Sequence, residues 1–180
     1  MNIVEKARIF ARNAHHGQTR KLSTEPYFVH PEAVAKILLD ANLAEEIIAA
    51  GYLHDTVEDT NVSIEDIQRE FGHEIAEIVA GNTEDKSKTW EERKKHTIEY
   101  TRTAAFEMKC LIAADKLDNL QSIANTNSHD GEKWSHFKRG KEKQGWYYKG
   151  IADSLFENIQ EEIPTYFYTY KSLVNEVFSE

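Results

Sequence analysis

Apolar residues recur at helical spacing along nearly the whole of this 180-residue chain. The first stripe consists of residues mostly three or four positions apart, namely Ile3, Val4, Ala7, Phe10, Ala11 and Ala14. Similar stripes predict helices that begin at Pro31, span residues 44–55, and run from Ser63 to about Val79. Residues with this spacing share one face of a helix, which is buried against a neighbour. The pattern therefore predicts an all-α fold.

The second half of the chain continues the helical pattern around two polar intervals. Residues 82–92 and 126–145 lack an apolar stripe and are predicted to be loops. Helices are predicted over roughly 93–125, 146–161 and 165–178. The start of the last segment alternates threonine with aromatic residues, which also fits a strand, but its later apolar residues favour a helix.

Composition argues against several classes of protein. The chain has 22 basic and 31 acidic residues and a formal net charge of −9, whereas nucleic acids and anionic membranes attract cationic surfaces. We therefore expect neither as a partner. No apolar run approaches the ~20 residues that span a bilayer, and charges interrupt the N-terminal segment where a signal peptide would be apolar. A lone cysteine, Cys110, fits a reducing compartment, so we expect a cytoplasmic protein.

A histidine and an aspartate stand side by side at the end of a predicted apolar helix, at His54 and Asp55. An adjacent imidazole and carboxylate can supply two ligands to one metal ion from different directions. Two more carboxylates, Glu58 and Asp59, follow Asp55 three and four residues later in the sequence. Taken alone, the His-Asp pair is better explained as a capped helix end, so its interpretation depends on residues elsewhere.

Asp115 and His30 extend this candidate site. Asp115 lies on an apolar face of a predicted helix, where a carboxylate must be paired or bind a metal because burial of an unpaired charge is costly. A salt bridge to lysine or arginine explains Asp115 equally well, and Asn119 follows one helical turn later. With His54 and Asp55, these residues supply two imidazoles and two carboxylates, a ligand set suited to Mn, Fe, Zn or Mg.

Five segments give the chain a resemblance to a known family. They are AHHGQTRK, TEPYFVHPEAVAKIL, GYLHDTVEDT, FGHEIAEIVAGNTEDK and AADKLDNL. Together they resemble the hydrolase domain of the RelA/SpoT alarmone enzymes, which are HD-domain metal-dependent phosphohydrolases, and most closely the small alarmone hydrolases. The resemblance implies one HD-type helical bundle over residues 1–180, with a motif-bearing core of about 5–125 and a helical C-terminal extension of about 126–180.

The resemblance also implies an activity and a set of site residues. The activity is hydrolysis of the 3′-diphosphate of ppGpp or pppGpp, which releases pyrophosphate and GDP or GTP. The implied ligands of one divalent ion, usually manganese, are His30, His54, Asp55 and Asp115. The implied catalytic residues, which activate or position water, are Glu58 and Asp59, and either carboxylate could be the base. The implied substrate-binding residues are Arg20, Lys21, Lys86, Asn119 and Lys138.

Departures from the family pattern leave the nucleotide open. Asp118 occupies the variable position of the segment ADKLxNL and adds a negative charge near the pocket. One alternative is another small-molecule substrate, such as (p)ppApp or NADPH. A second is a non-catalytic nucleotide-binding protein, which is disfavoured because every metal-site position holds a competent ligand.

Local charge differs from the net charge of the chain. Residues 133–143 contain five basic residues and one acidic residue, so we expect a cationic rim around the site, although a solvated basic loop explains the cluster equally well. Aromatic and aliphatic residues with helical spacing follow this loop. They form either core or a contact between subunits, which leaves a homo-oligomer open, and they are Trp146, Tyr147, Ile151, Leu155 and Ile159.

Overall fold

The computed structural model of the chain describes residues 1–21, 23–126, 130–137 and 139–179. These residues form eleven helices and no β-strand, which confirms the predicted all-α single domain. The helices are α1 (Ile3–Ala14), α2 (Val29–Asp40), α3 (Glu45–Leu53), α4 (Thr56–Asp59), α5 (Ile64–Phe71), α6 (His73–Gly81), α7 (Trp90–Thr103), α8 (Phe106–Ala124), α9 (Asp130–Ser135), α10 (Gly140–Leu155) and α11 (Thr165–Phe178). Within the same residues, no helix combines the length and the apolar character needed to cross a membrane.

Two helices, α3 and α8, form the centre of the bundle. Helix α8 packs against α2, α3, α6, α7, α10 and α11, while α3 also contacts α1, α2 and α6. Gly51 allows α3 to approach α2 closely, because a Cβ atom there would lie 2.7 Å from Leu38 Cδ1 and 3.3 Å from Ala35 Cα. The close contact packs the last turn of α3 against the second half of α2. His54 follows α3 directly, and His30 lies in the first turn of α2.

Two helices predicted as continuous are divided in the structure. The predicted helix from Ser63 to Val79 is broken at Gly72, whose φ of 92° lies outside the helical region. The predicted helix over 93–125 is broken at Ala104 and Ala105, which have extended backbone with ψ of 152° and 157°. In both cases the apolar pattern continues across the break because both halves pack on the same core. The spacing of apolar residues therefore could not reveal where these helices end.

The two predicted loops also contain helical residues. Helix α7 begins at Trp90, where Thr89 and Glu92 form a capping box, and α9 and the first turn of α10 fall inside the interval 126–145. These helical residues are mostly polar, so they lack the stripe of apolar residues from which helices were predicted. At the end of the chain, α11 confirms the helical interpretation over the strand.

A buried lysine on α8 joins three helices through backbone carbonyls. Lys109 is 1% exposed, and its Nζ donates hydrogen bonds to the carbonyl oxygens of Thr101 at 2.5 Å, Arg102 at 3.2 Å and Ser154 at 3.1 Å. These carbonyls belong to the last turns of α7 and α10, where backbone oxygens lack partners within the helix.

Replacing Lys109 with methionine is expected to lower the free energy of unfolding by about 2 kcal/mol, because the Thr101 carbonyl oxygen loses this donor. The carbonyl oxygens of Arg102 and Ser154 keep a second donor, from Asn158 and from the backbone of Glu157. Urea denaturation of the two proteins measures the difference. The exposed Lys149, on α10, provides a control, and Lys149→Met should change stability little. An equal loss of unfolding free energy in the two variants would contradict the stabilising role of the Lys109 hydrogen bonds.

Candidate active site

Four side chains from three separated segments meet inside the bundle. His30 lies in the first turn of α2, His54 and Asp55 follow α3 directly, and Asp115 lies on α8. One potential ligand atom from each lies within 4.8 Å of the others. The two histidines and Asp115 are buried, whereas Asp55 is partly exposed. Solvent therefore reaches the cluster at Asp55.

The separations within this cluster fit one divalent cation. Asp115 Oδ1 lies 2.9 Å from His30 Nε2 and 3.1 Å from His54 Nε2, and the two Nε2 atoms are 3.3 Å apart. Asp55 Oδ2 lies 3.1 Å from His54 Nε2 and 3.6 Å from His30 Nε2. Atoms bound at ~2.1 Å to one ion are separated by roughly 3 to 4 Å. The residues therefore form a site that can hold a metal ion.

Hydrogen bonds at Nδ1 determine which ring nitrogen of each histidine carries the lone pair. His54 Nδ1 lies 2.7 Å from the carbonyl oxygen of Gly51, which can only accept, so Nδ1 carries the proton. His30 Nδ1 lies 2.7 Å from Asp118 Oδ2, another acceptor. In the neutral rings this tautomer leaves the lone pair on Nε2, and both Nε2 atoms belong to the cluster.

Charges within the cluster shift the pKa values of its members. Burial lowers the pKa of His54, but the charges of Asp55 and Asp115 outweigh it and raise the pKa well above its usual value. Burial raises the pKa of Asp115, but Lys116 and His54 hold it well below its usual range. The neighbouring His54 likewise lowers the pKa of Asp55 to about 2 against the effect of burial. Without a cation, the imidazoles therefore hold protons that a metal must displace.

Binding of Mn²⁺ to metal-stripped protein is expected to release protons and raise Tm by about 5–10 °C when the site is saturated. The physical reason is that the ion replaces protons between two imidazoles and two carboxylates. Calorimetric titration in buffers with different ionisation enthalpies measures the protons, and thermal denaturation measures Tm. His54→Ala serves as the matched control without a Tm increase. An unchanged Tm of the wild-type protein in millimolar Mn²⁺ would contradict the site.

Two further residues contact the carboxylates of the cluster. The Tyr27 hydroxyl donates a hydrogen bond of 2.6 Å to Asp55 Oδ2, and burial raises the pKa of Tyr27 so that it remains a donor. Lys116 Nζ lies 3.0 Å from Asp115 Oδ2 and 5.2 Å from the centre of the Tyr147 ring. The sequence left a salt bridge from Asp115 to a lysine or arginine open without naming Lys116, and it gave no role to Tyr27. The available signal was their position inside the segments TEPYFVHPEAVAKIL and AADKLDNL.

The predicted catalytic pair lies on the one-turn helix α4, directly after Asp55. Glu58 Oε1 accepts a 2.5 Å hydrogen bond from the backbone N–H of Glu84, and burial raises the pKa of Glu58 to about 7. Burial also raises the pKa of Asp59. Lys86 Nζ donates to the backbone oxygen of Glu58 at 2.8 Å and lies 3.6 Å from Asp59 Oδ1. The structure thus places Lys86 beside the acidic pair.

The other predicted substrate-binding residues differ in their relation to the cluster. Asn119 Nδ2 donates to Asp115 Oδ1 at 3.3 Å, and Arg20 Nη1 pairs with Asp118 Oδ2 at 3.3 Å. Lys21 Nζ instead lies 4.7 Å from the centre of the Phe137 ring. The remaining predicted residue, Lys138, lies outside the described residues. The substrate-binding roles of all five residues stay predictions.

Comparison of sequences places the chain among known relatives. The profile of the HD domain family matches residues 7–138. The guanosine-3′,5′-bis(diphosphate) 3′-pyrophosphohydrolase MESH1 of Danio rerio is 38% identical over 129 residues, which cover 70% of this chain and 70% of MESH1. Other curated relatives, from Synechocystis and Arabidopsis thaliana, are much longer, and the chain spans 15–16% of their length.

Two solved structures share the fold over most of their length. The Listeria monocytogenes protein lmo0812 is 48% identical with a TM-score of 0.80, and the similarity covers 88% of this chain and 99% of that protein. A metazoan ortholog of SpoT, described as hydrolysing ppGpp, is 28% identical with a TM-score of 0.80, over 99% and 94% of the two chains. This chain therefore belongs to the HD-domain family and is homologous to MESH1 and the RelA/SpoT hydrolase domain.

Proposed function

We propose that the chain is a metal-dependent guanosine-3′,5′-bis(diphosphate) 3′-pyrophosphohydrolase, which converts ppGpp or pppGpp to GDP or GTP and pyrophosphate. The observation that carries this proposal is the cluster of His30, His54, Asp55 and Asp115 within 4.8 Å, in a chain 38% identical to MESH1. The cluster supports metal-assisted phosphoryl hydrolysis. The similarity to MESH1 supports the choice of nucleotide.

Manganese is the metal that we propose for this site. Two imidazoles and two carboxylates suit several divalent ions, among them Mn²⁺, Fe²⁺ and Zn²⁺, so the ligands alone leave the ion open. The resemblance to the alarmone hydrolases favours Mn²⁺. Activity of metal-stripped protein reconstituted with each ion tests the choice, and higher activity with Zn²⁺ or Fe²⁺ than with Mn²⁺ would contradict it.

The reaction requires a water nucleophile and a group that accepts its proton. A bound divalent ion would act as a Lewis acid, lowering the pKa of nearby water and offsetting charge on phosphoryl oxygens. Glu58 is the proton acceptor that we propose, because its pKa of about 7 suits a general base near neutral pH. Lys86 bonds the backbone of Glu58 and lies beside Asp59, which we propose to orient the water.

The residues that we propose to bind substrate surround this chemistry. Arg20 and Lys21 would bind the guanine and phosphate side, and Lys86 another phosphate, since cations offset phosphate charge. The contacts of Arg20 with Asp118, and of Asn119 with Asp115, support positions at the edge of the metal site. The fifth residue, Lys138, is proposed from the resemblance alone.

A panel of nucleotides tests the substrate. The purified chain is incubated with Mn²⁺ and with ppGpp, ppApp or NADPH, and kcat/KM is measured for each. We expect ppGpp to be preferred by at least about tenfold, since purine discrimination by hydrogen bonding is strong. Preference for ppApp or NADPH would identify another nucleotide hydrolase. Binding of nucleotide without turnover of any of them would favour a non-catalytic protein.

We propose that the chain acts in the cytoplasm on free nucleotides, without nucleic acid or membrane as a partner. The formal net charge of −9 and the single cysteine support this proposal. A homo-oligomer stays a prediction from the sequence. Size-exclusion chromatography with light scattering determines the mass of the species in solution.

A further inference from the structure

One carboxylate oxygen on α8 contacts both a histidine of the candidate metal site and an arginine that we propose to bind substrate. Asp118 Oδ2 lies 2.7 Å from His30 Nδ1 and 3.3 Å from Arg20 Nη1. The His30 side chain is 1% exposed, and the side chains of Asp118 and Arg20 are each 13% exposed. The contacts are therefore largely protected from water. An ion pair in such a position is stronger than one at the protein surface.

The positions of all three residues follow from the fold. Asp118 lies three residues after Asp115, so both side chains project from the same side of α8. Arg20 belongs to the segment between α1 and α2, where its backbone N–H donates to the Glu25 carbonyl oxygen at 3.0 Å. From this position the Arg20 guanidinium reaches Asp118 on α8.

The contact with His30 determines which ring nitrogen is available to a metal. A carboxylate accepts hydrogen bonds, so a neutral His30 carries its proton on Nδ1 and leaves the lone pair on Nε2. His30 Nε2 lies 2.9 Å from Asp115 Oδ1 and 3.3 Å from His54 Nε2, inside the cluster. Loss of the acceptor would allow the other tautomer and free the ring to turn.

The contact with Arg20 determines where a phosphate can be bound. A guanidinium has five N–H donors in a rigid plane, and the ion pair with Asp118 engages the terminal nitrogen Nη1. A fixed guanidinium binds an anion with a smaller loss of conformational entropy than a mobile one. The same pair places negative charge beside the proposed phosphate subsite, so Asp118 orients Arg20 at some cost in attraction.

We propose that Asp118 is a positioning residue that anchors His30 for the metal and Arg20 for the substrate phosphate through one carboxylate oxygen. The proposal rests on the proposed function for its substrate half only. Neither half requires Asp118 to touch metal or nucleotide. It assigns a function to a residue that the sequence marked only as an added negative charge.

Calorimetric titration of the metal-stripped chain with Mn²⁺ tests the histidine half. Asp118→Ala is expected to weaken Mn²⁺ binding at least about tenfold, as the loss of such outer contacts typically does. Asp118→Asn keeps an oxygen acceptor for His30 and should bind Mn²⁺ with an intermediate affinity. Arg20→Gln should bind Mn²⁺ at least as tightly as wild type. The exposed Asp153 provides a matched control, and Asp153→Ala should leave the affinity unchanged.

Steady-state kinetics with ppGpp at saturating Mn²⁺ test the arginine half. Asp118→Ala is expected to raise KM by about tenfold with a much smaller effect on kcat, because Arg20 is no longer held in place. Circular dichroism checks that each variant is folded, and Asp118→Asn replaces Asp118→Ala if the latter does not fold.

Several results would overturn the proposal. One is Mn²⁺ affinity of folded Asp118→Ala within twofold of wild type, and another is equal weakening by Arg20→Gln. An unchanged KM for Asp118→Ala would overturn the substrate half. The titration needs no nucleotide, so a failure of wild-type protein to hydrolyse ppGpp would count against the proposed function and not against the anchoring of His30.

Discussion

Replacing Asp55 with alanine is expected to lower kcat/KM for ppGpp by about 10⁴-fold, the largest effect of any single substitution in this site. Asp55 supplies the partly exposed potential ligand atom of the cluster, and its Oδ2 also accepts a hydrogen bond of 2.6 Å from the Tyr27 hydroxyl. Its removal would leave three ligands and an unpaired tyrosine. The two buried imidazoles would lose a carboxylate that supports their charge.

The matched control for this substitution is Asp40→Ala. Asp40 is an exposed aspartate that pairs with Lys36 on the surface, and such pairs contribute little to stability. We expect Asp40→Ala to keep wild-type kcat/KM and the Tm increase with Mn²⁺, and Asp55→Ala to lose both. Wild-type turnover by folded Asp55→Ala would show that the cluster is not required for catalysis.

Glu58→Gln is expected to lower kcat by about 10³-fold, because glutamine keeps the shape of the side chain but cannot accept a proton. The wild-type kcat should rise with pH through about 7, where Glu58 loses its own proton. The residual activity of the variant should lack this rise. A variant with wild-type kcat would show that Glu58 is not the base and would direct attention to Asp59.

The same substitution has an opposite effect on stability. Burial raises the pKa of Glu58 from 4.5 to about 7, so the folded state favours the protonated form. This contribution to stability is present below pH 4.5 and is lost as pH rises through 7. Glu58→Gln cannot ionise, so in metal-free protein it should be more stable than wild type by roughly 2–3 kcal/mol at pH 8 and similar at pH 4. A stability difference that does not change with pH would contradict the burial of this carboxyl.

The cluster of four potential metal ligands could be predicted because histidine and aspartate are unusual at the end or on the apolar face of a buried helix. His54 and Asp55 end an apolar helix, and Asp115 lies on an apolar face. Their spacing along the chain says nothing about their distances, and only the packing of α2, α3 and α8 brings them within 4.8 Å of His30. The ligand roles themselves stay predictions until a metal is titrated.

The contacts of Asp118 and Tyr27 could not be predicted in the same way. Asp118 reaches His30 across 88 residues of chain, and Tyr27 reaches Asp55 across 28. Asp118 has no local signature, because a polar side chain beside an apolar stripe is also typical of a solvated helix face. Tyr27 lies in the loop before α2, where the helical pattern gives no information about its contacts. Only the tertiary structure separates the two interpretations.

The fold followed from periodicity, with errors where periodicity carries no information. The pattern predicted the helical class and most core faces. It missed the breaks at Gly72 and at Ala104–Ala105, where consecutive helices share one core, and the helix α9 within a polar interval. The break between α7 and α8 has an alanine at the N-cap that makes no side-chain hydrogen bond, so no capping residue marked it.

The most direct test of the account is the product of ppGpp turnover. Purified chain is incubated with ppGpp and Mn²⁺, and the products are separated by anion exchange and identified by ³¹P NMR, with Asp55→Ala as the blank. We expect GDP and pyrophosphate in equal amounts. Release of orthophosphate in place of pyrophosphate, or no turnover by folded protein that binds Mn²⁺, would contradict it.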